Sequence, residues 1–276
     1  MKINRSSINF HETFQPEVAY LAKIVELAKE SYSGKKDDIS LITGIPTGKQ
    51  KGKVEPHIKY AAYMGLINYA IDKGVYTLSL TELGEEVFMQ DKYLHENLTH
   101  WLCHYNISRP VLGAPQWNYI VHYGFTGFYQ SDTSEHHLNR ANKLFETNVS
   151  FEEMFGVVKR SYMDGFFSDL NYLNWSDNIE YVEHIERPEL LFVYGYALFD
   201  LWLSMYPTQK EITFNELTQG MGIGKVFNLG ESEVESVLES LADENLIKIN
   251  RQLYPMTIIM LSSMDDIVPR LYSRLL

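Results

Sequence analysis

The hydrophobic period of the chain changes after Met64-Gly65, and that change restricts the fold more than any other feature. Upstream, residues 17–30 (EVAYLAKIVELAKE) place Val18, Leu21, Ala22, Val25 and Ala28 at helical spacing. Asp37 and Asp38 then offer an N-cap and a first-turn carboxylate to a short helix at residues 39–43, which Gly44 stops. A run of glycine and lysine leads to VEPHIKYAAYMGL, where Val54, Ile58, Ala61, Ala62 and Gly65 share one face and Pro56 fits only in the opening turn. Downstream, LINYAI and VYTLSL are rich in β-branched and aromatic residues, and Asp72-Lys73-Gly74 between them signals a hairpin turn. Three helices followed by a two-stranded ribbon is the order of a winged helix. TELGEEVF, from Thr81, predicts the next helix.

A similar order recurs near the C-terminus. TFNELTQGMGIGKVF predicts a short helix ending in glycines, and ESEVESVLESLADENLIKI carries Val234, Val237, Leu238 and Leu241 at i, i+3, i+4 and i+7. Residues 246–249, a turn at 250–252 and LYPMTIIM then complete a second hairpin. The aromatic-rich middle predicts helices near residues 98–105, 118–124, 151–163 and 190–206, punctuated by Pro110, Pro115, Pro188 and Pro207. His136 and His137, beside Ser131 to Glu135, read as an exposed loop. The fold class expected is mainly α with some β (α+β). A winged-helix domain at 1–92 and a winged-helix-like domain at 208–276 flank a helical middle domain at 93–207.

Composition narrows the environment and the partners. With 276 residues, 45% of them hydrophobic, and 19 Tyr, 14 Phe and 4 Trp, the chain has ample apolar surface for a globular core. The lone Cys103 excludes an internal disulfide, and the N-terminus lacks the apolar segment of a signal peptide. The longest apolar stretch, residues 190–206, is too short to span a bilayer and contains Asp200. A cytoplasmic protein with no membrane partner is expected.

The formal charge of -12 argues against a surface that coats polyanions, so any nucleic-acid contact must be local. Residues 46–59 hold Lys49, Lys51, Lys53 and Lys59 against Glu55, whereas residues 231–244 hold six acids and no base. In helix-turn-helix proteins the third helix faces the major groove and the loop before it meets phosphates. The first unit is therefore the candidate DNA reader, through Lys49, Lys51, Lys53, His57, Lys59, Tyr60 and Tyr63, with Lys73 at the wing tip. In the second unit Glu231, Glu235 and Glu239 would repel DNA, and they form a candidate protein-binding face.

Signals of catalysis are weak. GIPTGKQ has three residues between its glycines where a phosphate loop needs four, and Gln50 stands where the magnesium-binding hydroxyl would be. His100 and His104, near His95 and Cys103, have the spacing of two zinc ligands on one helix, but Trp101 replaces the glutamate of HEXXH. Histidines packed among aromatic residues are the commoner outcome of that pattern. Cys103 and His104 are sequence neighbours and point about 100° apart on a helix, so the adjacency makes no catalytic pair. No G-x-S-x-G occurs. Neither an enzyme nor a cofactor is called for.

INFHETFQPEVAYLAK, the basic stretch ending GLINY, LTELGEEVFMQDKYLHENLTHWLCHYNIS and GKVFNLGESEVESVLESL, in that order, resemble the landmarks of the bacterial domain of unknown function 4007 family. The resemblance implies a setting among DNA phosphorothioation and related phage-defence genes. In such a setting the residues lead to two expectations: a non-catalytic accessory component that meets duplex DNA through the basic stretch, or an adaptor whose acidic helix at 231–244 and aromatic middle domain meet other proteins of a defence complex or a second copy of the chain. The family opening corresponds to His11, Glu12, Thr13 and Phe14, and the later landmark to Gly224, Lys225, Val226 and Phe227. His11, Glu12 and Thr13 either form a site or dock the N-terminal arm by side-chain hydrogen bonds.

Overall fold

The chain begins with a short arm that precedes the first predicted helix. Helix α1 (Arg5–Ile8) is capped by the Asn4 carboxamide, which accepts from the Ser6 N–H at 3.1 Å, and a single 3-10 turn, Asn9–His11, follows it. The computed structural model describes residues 3–48, 51–252 and 254–275. The chain divides into two units, residues 1–181 and 182–276.

In the first unit, α2 (Val18–Lys29) buries Leu21, Ile24, Val25, Leu27 and Ala28, the stripe that its spacing predicts with small shifts. Strand β1 (Ser33–Lys35) then leads into α3 (Lys36–Thr43). Lys35 is the N-cap of α3, and Asp38 accepts from its backbone N–H at 3.2 Å. Gly44 ends the helix at φ 71°, a left-handed conformation that glycine adopts without strain.

After α4 (Val54–Tyr63), the period change becomes a hairpin of β2 (Ile67–Asp72) and β3 (Val75–Leu80). Asp72 pairs with Val75, and Lys73 and Gly74 turn at φ 48° and 80°, as a two-residue hairpin loop with matching twist requires. The unpredicted β1 pairs with β3, so the antiparallel sheet runs β1-β3-β2. Helix α5 (Glu82–Gln90) is capped by Thr81, whose Oγ1 accepts from the Gly84 N–H at 2.9 Å and donates to the Gly65 carbonyl.

The aromatic segment folds on this frame. Helix α6 (Asn97–Ser108) is buried along nearly its whole length and packs on α4. It is preceded by the Asp91 carboxylate, which accepts from the N–H groups of His95 and Glu96 and from the Thr99 hydroxyl. Helix α7 (Pro115–Asn118) widens into a π-helical turn, Tyr119–Tyr123. Residues 131–137 are not the loop predicted: β4 (Ser131–Thr133) leads into α8 (Ser134–Phe145), capped by Thr133, and His137 is buried. A second π-helical turn, Glu152–Gly156, opens into α9 (Val157–Met163). Strands β5 (Leu173–Trp175) and β6 (Asn178–Tyr181) complete a sheet ordered β4-β6-β5.

The second unit is built on α10 (Leu191–Met205), the apolar stretch, buried on most sides. Strand β7 (Glu211–Thr213), the turn Glu216–Met221, α11 (Ile223–Phe227), α12 (Glu231–Asp243), β8 (Ile247–Asn250) and β9 (Thr257–Met260) follow, then α13 (Met264–Ile267). Its sheet is ordered β7-β9-β8, the same strand order as the first sheet. The predicted boundary at residues 92/93 falls inside the first unit, and α10, from the predicted middle domain, belongs to the second. The fold is thus mixed α+β with three small antiparallel sheets among the described residues. No helix among them is long and apolar enough to cross a membrane.

Candidate functional site

Helix α4 carries four of the proposed DNA contacts or their neighbours, and its surroundings decide which are available. His57 and Tyr60 are each 0% exposed, so their expected outward placement is corrected. The physical cause is the N-terminal arm, which lies across that side of the helix. The Phe10 ring sits 5.0 Å from Tyr60 and 4.8 Å from Tyr63. His57 Nε2 accepts from the Glu17 N–H at 3.1 Å while Nδ1–H donates to the Lys53 carbonyl at 2.6 Å, and burial lowers its pKa. The Tyr60 hydroxyl donates to the Phe14 carbonyl at 2.8 Å, and burial pushes its pKa well up. A helical wheel drawn from α4 alone cannot show this cover, because it comes from residues 40 or more positions upstream.

The lysines divide. Lys49 lies outside the described residues. Lys53 is paired with Glu17 at 2.7 Å and sits over the rings of Tyr20 and Phe14 at 5.3 and 5.6 Å, so it fastens α4 to the arm. Lys51 and Lys73 are exposed and Lys59 is half-buried, and none of the three forms an ion pair with a described residue. Tyr63 is half-buried. Glu55, the acid on the free side of α4, accepts from the Tyr76 hydroxyl and lies 3.7 Å from Lys36.

On α12, Glu231, Glu235 and Glu239 are exposed, as the acidic stripe predicts. Glu231 accepts from the Gln219 amide at 3.2 Å and Glu239 pairs with Arg251 at 2.5 Å, which leaves Glu235 as the member with no partner among the described residues. Glu244, at the end of the helix, holds Arg270 and Arg274.

The histidines of α6 are held by protein neighbours. His100 Nδ1 lies 2.8 Å from Asp169 Oδ1 and Nε2 lies 2.9 Å from the Leu94 carbonyl. His104 Nδ1 bonds the Tyr162 hydroxyl at 2.7 Å and packs against Trp101 and Tyr172. No group of three or more His, Cys, Asp or Glu among the described residues is placed to hold a metal ion. Cys103 is fully buried, and burial pushes its thiol pKa far up.

The HETF segment anchors the arm. His11 is 1% exposed, and its Nδ1 accepts from the Thr13 N–H at 3.0 Å. Burial, with the nearby Arg160 charge, lowers its pKa to about 4. Glu12 and Thr13 both have positive φ, 48° and 75°, which is strained for side-chain-bearing residues. The Thr13 carbonyl accepts from Arg160 at 3.1 Å. Beside this turn lies an open cleft of about 530 Å³, lined by the arm on one side and by Ser150, Glu152 and Glu153 on the other. The later landmark, Gly224 to Phe227, forms most of α11.

A family model described as a protein of unknown function, DUF4007, matches residues 9–260. No curated protein matches the chain. Among solved structures, the SspB crystal structure is similar with a TM-score of 0.77 at 18% identity, covering 96% of this chain and 87% of that chain. The magnesium-ion-bound SspB crystal structure is similar with a TM-score of 0.76 at 18% identity and the same coverage. At that identity the likeness is one of fold.

Proposed function

The chain belongs to the DUF4007 family, and we propose that it is a non-catalytic, DNA-binding accessory component of a bacterial DNA-modification defence system, acting in the cytoplasm. On this reading the two helix-and-hairpin units, with sheets ordered β1-β3-β2 and β7-β9-β8, are winged helices. The observation that carries the reading is the exposed hairpin with Lys73 at its tip, on the unit whose Lys51 and Lys59 form no ion pair with a described residue. The contact set shrinks accordingly to Lys51, Lys59 and Lys73, with Lys49 in the same loop. His57 and Tyr60 leave it because they are buried, and Lys53 because Glu17 neutralises it.

Fluorescence anisotropy with a labelled duplex tests the reading. Wild-type protein binds weakly, and the triple variant Lys51→Glu, Lys59→Glu, Lys73→Glu loses the binding. Unchanged affinity in that variant overturns the proposal.

A second reading, an adaptor within such a complex, rests on a different observation. Leu41 and Ile42 stand side by side on α3 at 86% and 57% exposure, and Glu235 on α12 offers a charge with no partner among the described residues. Co-purification with the products of neighbouring genes, abolished by Leu41→Asp with Ile42→Asp, supports it. A strictly monomeric protein with no such partner removes it.

A further inference from the structure

We propose that the cleft beside the HETF turn binds an uncharged nucleobase, either as a free nucleoside or as an unpaired base of a nucleic-acid strand. The argument rests on which groups around the cleft are already engaged. Arg5 grips Glu153 with two parallel bonds, Nε to Oε1 at 2.6 Å and Nη2 to Oε2 at 2.7 Å. Arg160 holds Glu152 Oε1 at 2.7 Å and the Thr13 carbonyl at 3.1 Å. Two guanidinium groups thus face two carboxylates. A phosphate would have to displace a carboxylate from one of them, and no metal-binding cluster of three ligands is present among the described residues.

The neutral groups are in the opposite condition. The side chains of Ser6 and Asn9 and the Thr13 hydroxyl line the cleft and make no hydrogen bond to a described residue. Glu152 Oε2 is likewise left with open lone pairs, and Ser150 Oγ accepts from the Glu153 N–H, which leaves its own proton to donate. Hydroxyls and a carboxamide both donate and accept, and a free carboxylate oxygen accepts. That mixture matches the alternating donor and acceptor edge of a base, which is read by side chains of these types. The buried imidazole of His11 supplies a neutral wall. A volume of about 530 Å³ falls within the usual range of small-molecule sites, roughly 300–1,000 Å³. The turn with positive φ at Glu12 and Thr13 borders the cleft, and strained backbone of this kind is concentrated at ligand sites.

The test is a calorimetric titration of the full chain with each of the four deoxynucleosides. At least one binds saturably, with a Kd of about 10 mM or tighter, and neither inorganic phosphate nor magnesium chloride competes. Asn9→Ala and Ser6→Ala, made together, weaken it about tenfold. Their side chains make no hydrogen bond to a described residue, so the melting temperature of that variant stays at the wild-type value. Lys73→Glu on the hairpin leaves nucleoside binding unchanged, which separates this site from the duplex reading. A short single strand that binds more tightly than its nucleosides identifies the strand as the source of the base, and equal affinity identifies the free nucleoside. The proposal is overturned by the absence of saturable binding up to about 10 mM, by competition from phosphate, or by full affinity in the double variant.

Discussion

His11 and His137 are both held neutral, with pKa values lowered to about 4 from 6.5, chiefly because burial penalises the imidazolium. His57 is shifted in the same direction for the same reason. In the unfolded chain these rings take up protons near pH 6.5, whereas in the fold they do not, so the unfolded state binds more protons between about pH 6.5 and 4. The stability these rings contribute is therefore complete above pH 6.5 and is lost as the pH drops through that window. Urea melts at pH 7.5, 6.5, 5.5 and 4.8 should show a falling midpoint, and a flat profile down to pH 5 would contradict the burial of these rings. His100 behaves in the opposite sense. Burial alone would lower its pKa, but the hydrogen bond and charge of Asp169, the Leu94 carbonyl and the Asp91 charge together raise it. Its contribution is fully present below pH 6.5 and is lost as the pH rises through the raised value. His100→Gln should cost more in melting temperature at pH 6 than at pH 9, and an equal cost at both would mean the ring is neutral in the fold.

Gly84 shows how a single helix, α5, is fitted to the hairpin it follows. A Cβ at this position would fall well inside van der Waals contact of the Leu66 carbonyl oxygen, and that atom belongs to backbone that cannot swing away. In an ordinary helix interior Gly→Ala stabilises by up to about 1 kcal/mol. Here the sign reverses. Gly84→Ala should lose about 1–3 kcal/mol of unfolding free energy in urea, because α5 must part from the loop before β2 or the cap at Thr81 must open. A variant as stable as wild type would show that the approach is not tight. The same element scale explains what could be read from the sequence. The hairpin was legible because Asp72-Lys73-Gly74 is a local turn signal flanked by strand-like runs, α2 and α12 because each buries one apolar stripe, and α4 because Val54, Ile58 and Ala61 mark its core side. Strands β1, β4 and β7 were not, since three residues give no period and their partners lie 40 or more positions away. Helix α8 did carry a readable signal: Thr133 at the cap and His137, Ala141 and Phe145 at i, i+4 and i+8. For the candidate site the lysines of the loop were visible, but the burial of His57 and Tyr60 was not, because that face is covered by Phe10, Phe14 and Glu17 from a distant segment.

At the scale of the whole molecule, a charge of -12 sets how strongly and how steeply duplex DNA can be bound. Each phosphate neutralised by a lysine contributes about 0.9 to the slope of log Kobs against log salt. Lys51, Lys59 and Lys73, joined at most by Lys49, therefore limit that slope to between about -2 and -4, far from the value near -10 of proteins that engage many phosphates. The acids elsewhere weaken association through long-range repulsion, and salt screens this repulsion over about 10 Å at 0.1 M. The attractive and repulsive parts can be separated. Lys73→Gln should reduce the slope by about 1 and weaken binding to every duplex alike, because a phosphate contact carries no sequence information. Glu235→Gln, on the acidic helix of the other unit, should strengthen binding slightly at low salt and leave the slope nearly unchanged. Anisotropy titrations from 50 to 300 mM salt measure both quantities. A slope steeper than about -5 would require a basic surface larger than these lysines provide, and a slope near zero would mean that phosphates are not what the hairpin meets.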